Sequence, residues 1–407
     1  MTAATHVADL RVAGLELAVG AAEIAAIWTT PAGERRRIPV GATAELMPKI
    51  DALRAELRDP MRIATGRTPR LAEFCAGWGR SFLPAAELAA AADVLVLVPH
   101  GPTHDLPLHL IEVEGGAGEP ARPLGAVAGV AYASSRSRAI RSVGRNPARR
   151  RKLSAWRCDG AVADATEETA PVRSVFSGGV DVLGDLSPSF RATCEQVASH
   201  FGGERRLFTK PEFPYNRAAL KAATRKDQPS ALCVMAHGFI DDDNHRMSGL
   251  LVARDTWGSA RRSIPLWGGR YFDFGDLPLR RVPRNIGAGD GAEVFAAAEL
   301  EIDASIESEL VMLLGCSAGW GRVLQGDEPT RLAETWLKIG AASVLAPMWD
   351  APIAAVEQWT EAFMEGWIDL DLPKALAMRR AMRLMREGSF GNAPERLGVM
   401  ALRGDWL

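Results

Sequence analysis

Long apolar runs are missing from this 407-residue chain; none approaches the ~18 residues needed to cross a bilayer, so no membrane-spanning helix is expected. Cysteine is sparse. The five residues, Cys75, Cys158, Cys194, Cys233 and Cys316, are odd in number and not closely paired. That argues against a disulfide framework, fits a reducing compartment and leaves a thiol free for chemistry. A surplus of positive charge is lacking too. The net charge is -2, with 47% hydrophobic and 24% charged residues, an ordinary globular composition rather than that of a nucleic-acid coat. The first residues, Met1 to Asp9, lack the basic region and apolar stretch of a signal peptide, so the cytoplasm is the expected location. Repeats of 20 to 50 residues are absent as well, which excludes a solenoid.

One local absence marks the organisation. Residues 131 to 157 contain no acidic residue, yet Arg136 to Arg157 carries nine basic ones, punctuated by glycine and proline. This reads as an exposed connection between two halves and a site open to proteolytic nicking. A chain of this length accommodates two or three domains, or one large α/β unit with a repeated half. Before the connection, Ile24 to Thr30 followed by the Pro31-Ala-Gly33 turn predicts a hairpin. Leu46, Ile50, Leu53 and Leu57 fall at helical spacing, and Val94 to Val98 has the pattern of a buried strand.

After the connection the pattern alternates as in α/β proteins. Strands are predicted near 160–163, 233–236, 310–314 and 343–346. Helices are predicted near 192–201, 216–224 and 330–339, from Pro352, and from Pro373 to Gly388. Residues 252 to 296 read as a long irregular stretch rich in Gly, Pro and Arg.

Two apolar strands run straight into reactive side chains: Cys233-Val-Met-Ala-His237-Gly238 and Leu310-Val-Met-Leu-Leu-Gly-Cys316-Ser-Ala-Gly319. Parallel strands buried on both faces look like this, and ligands gather at their carboxyl ends. One strand ends in a base and the other in a thiol. A cysteine nucleophile needs that combination, because the thiolate attacks and an imidazole takes its proton. The glycine after His237 lets a carbonyl oxygen approach the backbone closely.

These segments, with Val96 to Pro107, Ser248 to Val252, Gly340 to Trp349 and Leu402 to Asp405 in the same order, resemble the CHAT family of caspase-like peptidases, distant relatives of separase. The resemblance implies a caspase-like α/β three-layer sandwich with a mainly parallel sheet. Residues 1–155 would be a degenerate half without catalytic residues and 156–407 the catalytic half, with an inserted loop at about 253–296. It implies peptide-bond hydrolysis through an acyl-enzyme, Cys316 as nucleophile, His237 as general acid/base, and the backbone N–H groups of Gly238 and Cys316 as the oxyanion hole. It implies no cofactor or metal. A protein substrate is the expected partner, with a regulatory protein or activating ligand, and a role in bacterial defence or cell death. A catalytically silent scaffold of the same fold is the alternative.

Other readings compete at single motifs. Gly315-Cys-Ser317-Ala-Gly319 matches the G-x-S-x-G elbow of α/β-hydrolases, but that fold places its histidine after the serine, and the last histidine here is His245. His100, His104 and His109 invite a metal reading, yet Pro99, Pro102 and Pro107 break the segment and Asp105 is the only carboxylate near, so a structural turn is expected. The Arg136 to Arg157 run has Trp156 but no interleaved aromatics, so nucleic acid is not the expected partner.

Trp349-Asp350 looks like the element with which separase-like relatives read a basic residue before the cut, which would make both substrate-binding and direct cleavage to Arg or Lys. Where many CHAT sequences carry an acidic pair further on, this chain has Pro352 and Ile353. Asp350 reads equally as a helix N-cap ahead of Pro352. His237 and Cys316 stand 79 residues apart, longer than the ~50 of caspase signatures. The extra residues fall mostly in 253–296, either as a lid or docking surface or as a passive insertion.

Overall fold

The computed structural model describes residues 9–83, 92–114, 120–134, 187–200, 231–235, 248–253, 292–315, 329–350, 352–388 and 390–407, with short pieces at 175–178, 205–208, 220–221, 224–225, 238–239, 263–265, 271–273 and 321–323. The principal strands in chain order are β1 (Val12–Val19), β2 (Glu23–Thr29), β3 (Arg35–Ala42), β4 (Val94–Val98), β5 (Gly129–Tyr132), β6 (Val175–Gly178), β7 (Arg205–Phe208), β8 (Ala231–Val234), β9 (Leu310–Leu313), β10 (Ser343–Pro347) and β11 (Met400–Gly404). Two compact units result. One holds residues 1–164, 323–329 and 347–407, the other 165–322 and 330–346. The sequence places a break near 155 and keeps everything after it together. In the structure residues 347–407 fold with the N-terminal region, because β11 pairs in parallel with β5 and extends its sheet.

In the first unit the strand order is β3-β2-β1-β4-β5-β11. Neighbours from β3 to β1 are antiparallel, and from β1 to β5 parallel. The predicted hairpin is β2–β3. Gly33 takes the left-handed φ of +88° that its turn requires, donating to the Thr30 carbonyl. β4 is buried at every residue, as a parallel interior strand of Val and Leu should be. Helix α1 (Thr43–Leu57) buries Leu46, Ile50, Leu53 and Leu57 at the expected spacing. Its buried Glu56 accepts the N–H groups of Arg70 and Leu71 at 3.1 and 2.8 Å, capping α2 (Pro69–Ala76), whose own Thr68 makes no side-chain cap bond.

The second unit carries an all-parallel sheet in the order β10-β9-β8-β6-β7. One face of the central strands presents Leu232, Val234, Val311, Leu313, Val344 and Ala346 to a core closed by Leu300 and Trp336. The alternate residues Cys233, Met312 and Leu345 are also fully buried, so both faces are covered. Leu300 comes from α5 (Ala297–Asp303) and Trp336 from α6 (Leu332–Lys338). After α6 the chain turns at Gly340 with φ +123°, where a Cβ would stand 2.2 Å from the Ile306 carbonyl oxygen.

The stretch after 252, expected to be irregular, is partly sheet. Gly249–Ala253 pairs antiparallel with Gly238–Phe239 on one side and with Ala292–Ala296 on the other, and Ser263–Pro265 pairs with Tyr271–Asp273. Mixed composition hid the strands, since pairing rather than an apolar pattern defines them. The strand predicted at 160–163 and most of the helix predicted at 216–224 lie outside the described residues.

Candidate active site

β8 and β9 are interior neighbours in the second unit. Ala231 pairs with Leu310, Leu232 with Val311, Cys233 with Met312 and Val234 with Leu313, a constant offset of 79 residues. The Leu314 N–H continues the ladder by donating to the Val234 carbonyl at 2.8 Å. Beyond the paired residues Met235 and Gly315 are still buried. His237 and Cys316 themselves, with Ser317, lie outside the described residues. In sequence His237 and Cys316 are each three residues beyond the last paired residue of their strands, and their separation equals the strand offset. Both strands thus deliver the chain at the same level and the same end of a parallel sheet, where such folds bind ligands.

Gly238, expected in the oxyanion hole, opens the two-residue strand that pairs with Leu250. The segment Ser248 to Val252, one of those that carry the resemblance, falls almost wholly in the strand Gly249–Ala253.

Trp349 and Asp350 follow β10. Trp349 is wholly buried in the first unit, and its indole N–H donates to the Glu395 carbonyl at 2.9 Å. Packing and this bond account for the side chain. Asp350 is half-buried. Helix α7 (Ile353–Met364) has Pro352 as its N-cap, with the Pro352 carbonyl accepting from Ala355 and Val356. The helix starts one residue later than predicted, and Asp350 stands two residues before the cap.

The three histidines do not converge. His109 is fully buried, with Nε2 3.0 Å from the Gly398 carbonyl and Nδ1 2.7 Å from the Tyr132 hydroxyl. A carbonyl only accepts, so Nε2 carries the proton and the Tyr132 hydroxyl donates to Nδ1. That hydroxyl also accepts the His109 backbone N–H at 3.2 Å. Burial pushes the imidazole down to about 4; the Gly398 bond opposes this and the Arg403 charge adds to it. Nδ1 of His100 accepts the Val19 N–H at 3.4 Å. Asp105 turns to Arg54, 2.9 Å from its Nε. Among the described residues no group of three His, Cys, Asp or Glu side chains is placed to hold a metal. The segment folds as two short 3₁₀ turns, Gly101–Asp105 and Leu108–Leu110.

Among the thiols, Cys75 is buried, and burial first, then the Glu112 charge, pushes it up to about 12, which makes it inert as a nucleophile at neutral pH. Tyr132 was not evident as the partner of His109, because only the fold joins residues that far apart. The level pairing of β8 and β9 was equally hidden, since no periodicity spans 79 residues. No helix among the described residues is long and apolar enough to cross a membrane.

The parallel sheet with its buried strands ending at the His237 and Cys316 segments defines a caspase-like fold. The separase–securin complex of Saccharomyces cerevisiae is similar in structure, with a TM-score of 0.55 at 10% identity over 98% of this chain. This chain spans 30% of that separase chain. The pro- and mature domains of RgpB from Porphyromonas gingivalis match with a TM-score of 0.41 at 10% identity, covering 77% of this chain and 64% of that one. The Arg specific cysteine proteinase gingipain R gives 0.44 at 9% identity, covering 83% and 67%. No curated protein matches the chain. The family model described as the CHAT domain matches residues 79–395, and the chain belongs to that family.

Proposed function

We propose that this chain is a cysteine endopeptidase in which Cys316 is the nucleophile and His237 the general acid/base. The observation that carries the reading is the shared offset: the 79 residues between the two side chains equal the pairing offset of the strands that lead into them. In-register residues of neighbouring strands stand ~4.8 Å apart, which suits an imidazole and a thiol that must exchange a proton.

In the proposed reaction His237 takes the Cys316 proton and the sulfur attacks the scissile carbonyl carbon. The N–H groups of Gly238 and Cys316 hold the resulting oxyanion, each such donor contributing about 3 kcal/mol to the transition state. Collapse breaks the C–N bond as His237 protonates the leaving amine, leaving a thioester. His237 then takes a proton from water, the hydroxide adds to the thioester carbonyl, and C–S cleavage returns the protonated thiol.

Asp350 is proposed to favour Arg or Lys before the cut, as a carboxylate partner for a guanidinium or ammonium group. Of the insertion expected at about 253–296, the part between the paired strands, 254–291, is proposed as a control element that meets a regulator or activating ligand. A role in bacterial defence or cell death, with a partner protein as substrate, follows from family resemblance. The separase in the similar structure is bound to securin, which supports a protein partner.

The test is covalent. A peptidyl acyloxymethyl ketone should add one equivalent at Cys316, mapped by peptide mass spectrometry, and His237→Ala should abolish the adduct. Absence of labelling in the wild-type chain, after exposure to a cell lysate that could supply an activator, would favour a silent scaffold instead.

A further inference from the structure

On the first unit an open cleft of about 160 Å³ is lined by Arg122, Ala126, Arg383, Arg386 and Glu387. Its cations come from separate elements. Arg122 lies on the two-residue strand Arg122–Pro123, just before helix α3 (Leu124–Val127). Arg383 and Arg386 lie in the last turns of α8 (Lys374–Glu387). Both are anchored through Nε: Arg383 donates to the Ala126 carbonyl at 2.7 Å and Arg386 to Asn392 Oδ1 at 3.0 Å. An Nε bond fixes the plane of a guanidinium and leaves the two terminal amino groups as a fork. Glu387 brings one carboxylate to the lining against the three arginines, while elsewhere on α8 Arg380 pairs with Glu365 at 2.8 Å and Arg379 interacts with Asp93. Arg379, one turn earlier, is lowered from its usual value by burial and then by the charge of Arg383.

Cations in the last turn of a helix complement its dipole, and that alone accounts for Arg386. It does not account for Arg122, which comes from another element, or for the space the three guanidinium groups surround.

We propose that this cleft binds a phosphate-bearing anion of the pyrophosphate or polyphosphate class, free or as the phosphate tail of a nucleotide. Planar forks match tetrahedral oxyanions in a bidentate way, which a lysine cluster would not. One water occupies ~10–15 Å³ on this measure, so the cleft holds an anion of several atoms. Among the described residues its lining has no aromatic side chain to stack a base, so the phosphate is the part these residues recognise.

Calorimetric titration of the full chain with sodium pyrophosphate, at ionic strength held constant with NaCl, tests this. Saturable one-to-one binding is expected, weakened about tenfold or more in Arg383→Gln and in Arg122→Gln, as removal of a charge-assisted bond predicts. ATP run in parallel separates the sources: tighter binding than pyrophosphate marks a nucleotide, equal binding a free anion. A second readout needs no variant. Pyrophosphate should slow modification of Arg383 and Arg386 by phenylglyoxal, mapped by peptide mass spectrometry. No saturable binding would overturn the proposal. So would binding that is undiminished in both variants, or arginine modification at an unchanged rate.

Discussion

The N–H of Leu314, one step beyond the last paired residue of β9, donates at 2.8 Å to the carbonyl of Val234, the last paired residue of β8. This bond keeps the two strands level up to the segments that hold His237 and Cys316. If the proposed dyad works as a unit, removing either member costs about as much as removing both. Cys316→Ala and His237→Ala should each lower kcat/KM on a cleaved peptide by about 10³-fold or more, and the double variant little further. Thermal unfolding should stay near wild type in all three. Additive losses in the double variant would mean that the two residues act separately.

The strands that bound the 254–291 excursion pair with each other, Val252 with Glu293 and Ala253 with Ala292. A two-residue Asn-Gly turn can therefore close the ladder where those residues leave it. A chain with 254–291 replaced by Asn-Gly should fold with the wild-type far-UV spectrum. If the excursion is the proposed control element, it should set the dependence on an activator, so the shortened chain should cleave a peptide without one or fail to respond to it. Unchanged turnover and unchanged activation would make the segment a passive insertion.

The pair His109 and Tyr132 predicts an acid sensitivity. Burial holds the folded imidazole near 4, below the ~6.5 of an exposed one. Between those values the unfolded chain binds a proton that the folded chain refuses. The stabilising contribution is therefore complete above about 6.5, is lost as pH falls toward 4, and falls no further below that. Its size is on the order of 3 kcal/mol. Urea unfolding of the first unit followed at pH 7 and pH 4.5 should show a drop that shrinks in His109→Gln. Tyr132→Phe removes the donor to Nδ1 and the acceptor of the His109 N–H, and should cost about 2 kcal/mol at pH 7.

Much of this was legible in the chain because the physics is local. Buried parallel strands are written as short runs of Val and Leu, so Val94–Val98 and Leu310–Leu313 stood out. Helix α1 announced itself through Leu46, Ile50, Leu53 and Leu57. The residues of the proposed dyad were readable as side chains that end such runs. What was not legible is non-local. Nothing in residues 347–407 says that β11 will sit beside β5, or that Trp349 will turn its indole to Glu395. The strand Ala292–Ala296 was missed because an antiparallel partner, not hydrophobic alternation, makes it a strand.

Gly340 illustrates how a single backbone position can hold the second unit. Its φ of +123° is open only to glycine, and the Ile306 carbonyl leaves 2.2 Å for an added Cβ. That carbonyl belongs to the residue whose N–H donates to Ile339 at 2.9 Å, so relaxation would pull the Ile306 segment from the end of α6. Gly340→Ala should destabilise by about 2–3 kcal/mol, read as a lower denaturant midpoint.

Trp349 and Asp350 are adjacent in sequence but are expected to separate in experiment. The Trp349 indole is fully buried and bonded to a backbone carbonyl, so Trp349→Phe loses packing and leaves the Glu395 oxygen without its donor. A destabilisation of about 2–4 kcal/mol is expected, with any cleavage-site preference of the remaining folded chain unaltered. Asp350 is half-buried, stands two residues ahead of the α7 cap and is not the cap itself. Its substitution by Ala should cost little stability. If its carboxylate meets a basic side chain of the substrate, Asp350→Ala should raise KM for peptides with Arg or Lys before the cut by about 10- to 100-fold, as loss of a charge-assisted pair does, while leaving apolar peptides unaffected. Asp350→Glu should recover part of that loss. A library profile identical in wild type and Asp350→Ala would remove Asp350 from substrate recognition.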